Sequence, residues 1–129
     1  MLNTHLSLTY QIQSMSNTAK FLAVRIGGAE NIVLPDDETT FEQLQARITR
    51  SIDILSSLDK DSMNGWEDKE VLVTVANGSK FKIEDGVKYV NEYAVPNFHF
   101  HMSTAYCILR HLGVPIDAMD YLKDAFQRA

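Results

Sequence analysis

Apolar residues recur at alternating spacings of four and three along much of this chain, and that spacing restricts its fold more than any other feature. Successive residues of a helix turn by about 100°, so residues spaced in this way lie on one face. In residues 4–26 the apolar series is Leu8, Ile12, Met15, Ala19, Leu22 and Ile26. We therefore predict an amphipathic helix over residues 4–26 that ends at Gly27 and Gly28.

Two further segments show the same spacing. Residues 40–57 follow a capping box predicted from Thr39 and Glu42, and their apolar face consists of Phe41, Leu44, Ile48, Ile52 and Leu55. Residues 86–112 carry a longer series, namely Val87, Val90, Ala94, Phe98, His101, Ala105, Ile108 and Leu112. Pro96 lies inside this segment and lacks a backbone N–H, so we expect a kink or interruption there.

Between the second and third helices, residues 70–84 alternate in the manner of a β-hairpin. The dipeptide Asn77-Gly78 lies at its centre, and it predicts a tight primed turn because both residues tolerate positive φ angles. After a stop at Gly113 and Pro115, a short amphipathic helix is predicted over residues 117–127. The fold class is therefore mainly α: one domain over residues 1–129, a four-helix-bundle type with a hairpin inserted before the last long helix.

Charge and composition exclude several classes of partner. The net charge is −5 and no cluster of Lys and Arg is present, so we expect neither nucleic acid nor an anionic membrane surface as a partner. No apolar stretch approaches the roughly 20 residues that span a bilayer, and the first residues do not read as a signal peptide. The single cysteine, Cys107, suits a reducing compartment, and we predict a cytoplasmic protein.

The histidines of the third long helix are the candidate chemical groups. His99 and His101 point about 200° apart on a helix, so they cannot share one metal ion. Asn97 and His101, four residues apart, lie on one face and within the apolar series. An imidazole at that position needs a hydrogen-bond partner, such as Gln11 or Gln13 of the first helix, or a metal ion.

The acidic residues Asp36, Asp37 and Glu38 precede the second helix. They lack the spaced oxygen ligands and the glycine of a calcium loop, so their predicted role is to supply negative charge near a helix N-terminus. Arg25 or Arg47 could pair with them and fix the crossing between helices.

Several stretches of the sequence resemble one family. They are "TFEQLQARI", "PDDETTF" and above all "VPNFHFHMSTAYCILRHLGVPI", and the likeness extends from "LTYQIQSMSNTAKFLAVRIGG" through "GVPI". This pattern resembles the domain of unknown function DUF1993, a branch of the DinB/YfiT-like metalloenzyme superfamily. The resemblance implies a four-helix bundle over nearly the whole chain.

The same resemblance implies a place for a metal, together with two departures from the family pattern. The superfamily uses three histidines, two of them in an H-x-x-x-H pair that aligns here with Asn97 and His101; His5 is the nearest candidate for the third. Asn is a poor ligand for zinc or nickel. The resemblance also implies that the usual first helix is missing, and the groove exposed by its absence would be costly. We therefore expect a homodimer, or the C-terminal helix, to cover that face.

Three functional hypotheses follow. The first is a small-molecule pocket around Asn97 and His101, with Gln11 as a further polar contact and Phe98 and Tyr106 as its walls; it needs no cofactor, and His101 would be its acid or base. The second is a DinB-like enzyme of transferase or hydrolase type that depends on a divalent metal, zinc or nickel, bound by His101, His5 and an acidic residue. The third is a non-catalytic, dimeric structural protein whose polar core residues only fix register.

Overall fold

The order of elements follows the predicted order closely. The computed structural model describes residues 7–126. The elements are α1 (Leu8–Ile26), α2 (Phe41–Ser56), β1 (Val71–Thr74), β2 (Lys80–Ile83), α3 (Gly86–Lys88), a π-helical segment (Tyr89–Ala94), α4 (Val95–His111), α5 (Ala118–Leu122) and a 3-10 turn (Lys123–Ala125). The fold is mainly helical with one small hairpin, as predicted. None of the helices described is long and apolar enough to cross a bilayer.

Helix α1 packs between α2 and α4, and it runs parallel to the first and antiparallel to the second. Arg47 of α2 bonds to Ser16 near the middle of α1, and Leu58 just beyond α2 lies against Gly27 at the end of α1, so α1 and α2 are parallel. Helix α4 is antiparallel to α1, because His101 contacts Gln11 whereas Asn97 contacts Thr18. Since α1 and α2 are parallel, residues 27–40 must return along the bundle.

The helix ends show how local sequence sets the boundaries. Ser7 caps α1 through its Oγ, which accepts a hydrogen bond from the backbone N–H of Tyr10 at 3.1 Å. The predicted start at residue 4 lies outside the described residues. The capping box of α2 consists of Thr40 and Gln43, so the predicted box of Thr39 and Glu42 was wrong by one residue. Gln43 forms the box because its Oε1 accepts hydrogen bonds from the backbone N–H groups of both Thr39 and Thr40.

The hairpin is present, but its turn differs from the one predicted. Val71 pairs with Ile83 and Val73 with Phe81 in an antiparallel register. The N–H of Gly78 bonds to the carbonyl of Val75 at 2.8 Å, and Gly78 alone takes a positive φ in this turn, 82°. The loop is therefore a three-residue turn with glycine in the left-handed position, and the primed Asn-Gly turn was wrong.

The predicted third helix is continuous but changes its winding before Pro96. Residues 89–94 are π-helical, and the N–H of Val95 bonds to the carbonyl of Val90, five residues back. Pro96, which has no N–H to donate, then lies in the first turn of α4. The wider turn shifts the phase of the helix, so the apolar series does not form one buried stripe: Val87 and Leu112 at its two ends are exposed.

Five buried apolar side chains pack together at one end of the bundle, where the end of α1 meets the hairpin and the π-helical segment. They are Ile26, Val71, Val73, Tyr89 and Ala94. Helix α2 buries Leu44, Arg47, Ser51 and Ile54 instead of its whole predicted face. Phe41, Ile52 and Leu55 are exposed, so the predicted core face of this helix was wrong for those three residues. Arg47 is buried against α1 because the returning loop supplies partners for its charge. The hydroxyl of Ser51 donates to the carbonyl of Arg47 within the helix.

The last helix is shorter than predicted. Helix α5 lies against α4, where the hydroxyl of Tyr121 is 3.1 Å from Nδ1 of His99 and 3.3 Å from Oγ of Ser103. The predicted end at residue 127 lies outside the described residues.

Candidate functional site

The candidate site is centred on a hydrogen bond between α1 and α4. Nδ1 of His101 lies 2.7 Å from Oε1 of Gln11, a side chain that is 2% exposed. An amide oxygen only accepts hydrogen bonds, so the imidazole donates through Nδ1–H. In the neutral ring the lone pair is then on Nε2, which makes no hydrogen bond within residues 7–126. The contact of His101 with Gln11, one of two partners expected from the sequence, is present.

Two aromatic rings lie beside the imidazole. The ring of Phe100 lies 5.1 Å and that of Tyr10 6.0 Å from it, both in edge-to-face geometry. Burial lowers the pKa of His101 below its ordinary value of 6.5. The ring is therefore neutral at physiological pH and presents a basic nitrogen at Nε2.

Asn97 lies one helical turn before His101 and makes the second polar contact between these helices. Its Nδ2 donates to Oγ1 of Thr18 at 2.8 Å, and that hydroxyl in turn donates to the carbonyl of Ser14 at 2.8 Å. These two hydrogen bonds, from Asn97 to Thr18 and from Thr18 to Ser14, hold α1 and α4 in register beside the Gln11–His101 pair. Asn97 and His101 thus both face α1, as their spacing predicts.

These residues do not form a three-histidine metal centre in the described part of the chain. The amide of Asn97, the residue expected to align with the first histidine of the H-x-x-x-H pair, is engaged with Thr18. Residues 7–126 contain no group of three His, Cys, Asp or Glu side chains placed to hold a metal ion. His5, the other candidate ligand, lies outside the described residues. Among residues 7–126, His101 alone provides an imidazole at this position.

The two predicted wall residues lie apart from the Gln11–His101 pair. Phe98 lines an open groove between α1, α2 and α4, with a volume of about 140 Å³. The groove is lined by Thr18, Ala19, Leu22, Leu55, Ala94, Val95, Phe98 and His99. Tyr106 packs edge-to-face on Tyr121 of α5, with ring centres 6.0 Å apart. The predicted site residues therefore do not share one pocket. Gln11 and His101 form a polar pair, Phe98 lines the groove, and Tyr106 contacts the last helix.

A second polar centre lies between α1, α2 and the returning loop. The guanidinium of Arg47 is 2.8 Å from carboxylate oxygens of both Asp36 and Glu38, and it donates to the carbonyl of Pro35 at 2.9 Å. The pairing of Arg47 with the acidic stretch is one of the two pairings expected. Arg25 instead donates to the hydroxyl of Tyr89 at 3.1 Å. Arg47 therefore fixes the loop to the helices.

The charges of this centre shift two pKa values. Burial raises the pKa of Glu38, but hydrogen bonds from Arg47 and Gln13 outweigh burial and hold that pKa below its ordinary value of 4.5. Burial, and after it the charge of Arg47, lower the pKa of Lys20. The sequence analysis did not predict that Lys20 is buried. Lys20 lies one turn after Ser16, on the side of α1 that faces α2, and this position could have indicated its burial.

Comparisons with known proteins agree with this architecture. A family model described as "Domain of unknown function (DUF1993)" matches residues 1–122. A solved structure, described as a DinB family member protein from Shewanella denitrificans, matches with a TM-score of 0.80 and 29% sequence identity. That match covers 95% of this chain and 68% of the other. No curated protein matches the chain.

Proposed function

The chain belongs to the DUF1993 family and has a DinB-like fold, and from that premise we propose that it binds a small molecule at the Gln11–His101 pair. His101 acts there as a proton acceptor through Nε2. Asn97, one turn away on the same helix, is a second polar contact for the ligand. Tyr10 and Phe100, whose rings border the imidazole, provide apolar contacts.

The observation that carries this proposal is the 2.7 Å contact between Nδ1 of His101 and Oε1 of Gln11. It fixes the tautomer and orients the ring, which is the arrangement that supports a histidine base in catalytic sites. Burial keeps the ring neutral, so the base is ready to accept a proton near neutral pH. Isomerisation, cyclisation or elimination would need little more than such a base.

A ligand screen read at His101 tests the proposal. We would record the ring and amide NMR signals of the protein against a library of neutral soluble fragments, and repeat each hit on His101→Ala. His111→Ala is the matched control, because His111 is an exposed histidine in the last turn of the same helix. The proposal expects hits that shift His101 and Gln11 signals and that weaken at least tenfold in His101→Ala only. Hits that bind both variants equally, or no hit near His101, would count against it.

A divalent-metal enzyme is the second candidate function, and one observation favours it. Histidines that bind metals commonly donate their other ring N–H to an oxygen, as His101 does to Gln11. In this alternative His101, through Nε2, and His5 would hold zinc or nickel, which would supply Lewis-acid chemistry when bound.

We further propose that the protein acts as a homodimer in the cytoplasm. Support for the dimer comes from the large apolar side chains exposed on α2 and around the groove. The net charge of −5 and the single cysteine support the cytoplasmic location. If the protein does not bind a ligand at His101, the third hypothesis, a structural dimer, remains.

A further inference from the structure

Two cationic side chains of α1 share one aromatic ring. Nζ of Lys20 lies 4.1 Å from the centre of the Phe21 ring, and the guanidinium carbon of Arg25 lies 4.8 Å from the same centre. These two distances place the charges within about 9 Å of each other, a gap that charge-assisted hydrogen bonds of about 2.8 Å to one anion can bridge. We call these three residues the cationic cluster.

Lys20 is the unusual member of the cationic cluster. The residue is 5% exposed, yet among residues 7–126 its Nζ forms no hydrogen bond and no ion pair. Lysine is almost never buried to this degree without a partner, because a desolvated charge is costly. Arg25 donates to the hydroxyl of Tyr89, but no carboxylate in this part of the chain pairs with it either. The cluster thus contains two cations without a bound anion.

The carboxylate that acts on Lys20 is already engaged. Asp36 favours the charged form of Lys20, but Oδ1 of Asp36 accepts hydrogen bonds from Arg47 and Asn17. Burial lowers the pKa of Lys20 below its ordinary value of 10.5, and the charges of Arg47 and Arg25 lower it further. The field at Nζ is therefore not neutralised by the acidic side chains of the loop, and an added anion would be favoured there.

The ammonium group of Lys20 is nevertheless open to solvent. Among the described residues, Oγ of Ser62 is the one enclosed side-chain nitrogen or oxygen atom that lacks a hydrogen bond. Nζ of Lys20 also lacks a hydrogen bond, so it is not enclosed. The aliphatic stem of Lys20 is buried while its charged tip lies within reach of a small solute.

We propose that Lys20 and Arg25 bind the phosphate group of a small soluble molecule beside the Phe21 ring. Two cations match the two negative charges of a phosphate monoester, and arginine and lysine are the side chains that bind phosphate most often. Two cations are too few to follow a nucleic-acid backbone, in agreement with the net charge of −5. The site lies nine residues along α1 from Gln11, roughly 14 Å by the helix rise, so it is separate from the ligand site proposed above.

Titration with inorganic phosphate tests the proposal. We would follow the NMR signals of the Phe21 ring and of the α1 backbone amides at an ionic strength held constant with sodium chloride. The variants are Lys20→Met and Arg25→Gln, each of which removes one charge and retains a long side chain. Lys69→Met is the matched control, because Nζ of Lys69 also lies over an aromatic ring, 5.1 Å from the centre of Trp66, but Lys69 is exposed. Circular dichroism would verify that each variant folds.

We expect the unmodified chain and Lys69→Met to bind phosphate alike, with a Kd in the millimolar range, and both cluster variants to bind at least tenfold more weakly. Equal binding by the unmodified chain and both cluster variants would overturn the proposal. So would the absence of any shift at roughly 50 mM phosphate beyond that caused by chloride.

Cosedimentation with vesicles of phosphatidic acid distinguishes a soluble phosphate from a lipid headgroup. We expect the chain to stay in the supernatant. A chain that sediments with the vesicles through Lys20 but does not bind free phosphate would overturn the assignment to a soluble molecule. None of these results bears on the ligand site, whose readout is the His101 ring.

Discussion

His101 and Gln11 face each other across the antiparallel helices α1 and α4, with Nδ1 and Oε1 2.7 Å apart. The glutamine is almost fully buried, and the imidazole is partly buried among aromatic rings. This contact decides which ring nitrogen holds the proton, and thereby which nitrogen a ligand or a metal ion would meet.

The first prediction concerns the pH dependence of His101. Its pKa is lowered by burial, so the unfolded chain takes up a proton at a higher pH than the folded chain does. The contribution of the neutral ring to stability is therefore complete above about pH 6.5 and is lost as the pH falls through the lower pKa of the folded state. NMR titration of the His101 ring should give a midpoint below 6.5. A midpoint at or above 6.5 would show that burial does not lower the pKa of the His101 ring.

The second prediction concerns Gln11. In Gln11→Ala the Nδ1–H of His101 loses its acceptor, and a partly buried donor without a partner costs about 1–3 kcal/mol. Urea unfolding should show a loss of that size. Gln45→Ala is the control, because this residue is an exposed glutamine on α2 and its replacement should change the free energy of unfolding by less than about 0.5 kcal/mol. Equal effects in the two variants would mean that the contact contributes nothing specific.

The third prediction concerns the loop that returns along the bundle. Arg47→Met removes the cation that Glu38 and Asp36 share and leaves Glu38, whose side chain is 10% exposed, without its main partner. Breaking a buried ion pair in this way costs about 3–5 kcal/mol. Arg50→Met changes an exposed arginine one turn further along α2 and should have little effect. Urea unfolding of both variants measures these losses. Similar free energies of unfolding for the two variants would refute the claim that Arg47 stabilises the loop.

Apolar spacing predicted the long helices and the hairpin because a helix or a strand repeats its surface at a fixed period. The same spacing could not tell whether a neighbour covers each face. Phe41 and Ile52 fit a core pattern as well as Leu44 does, but the partner that would bury them is not supplied by residues 7–126. Likewise, Pro96 predicted an irregularity, but nothing in the apolar spacing indicated a π-helical segment over residues 89–94, in which Tyr89 and Ala94 are buried.

The candidate site was predicted in part. The four-residue spacing of Asn97 and His101 placed both on the side facing α1, and a buried imidazole required a partner such as Gln11. Phe98 and Tyr106 were assigned to the same pocket, but helix rotation turns them toward the groove and toward α5. Neighbouring positions on a helix diverge by about 100°, so a site cannot be assembled from adjacent residues alone.

The fourth prediction separates the two candidate functions by metal content. One imidazole and a neutral asparagine amide bind zinc or nickel weakly, so the main proposal expects far less than one metal ion per chain after incubation with zinc, nickel or manganese and dialysis. Elemental mass spectrometry of the untagged protein measures the number of metal ions per chain. One equivalent per chain that is lost in His101→Ala but kept in His111→Ala would establish the metal-dependent alternative.

The protonation state of the His101 ring nitrogens at neutral pH is the most direct test of the account. Nitrogen-15 NMR distinguishes a nitrogen that carries hydrogen from one that carries a lone pair. We predict hydrogen on Nδ1 and a lone pair on Nε2 in the unmodified protein, with a mixture of tautomers in Gln11→Ala. Hydrogen on Nε2 with a lone pair on Nδ1, or a fully protonated ring at pH 7.5, would contradict the claim that Gln11 holds His101 as a neutral base.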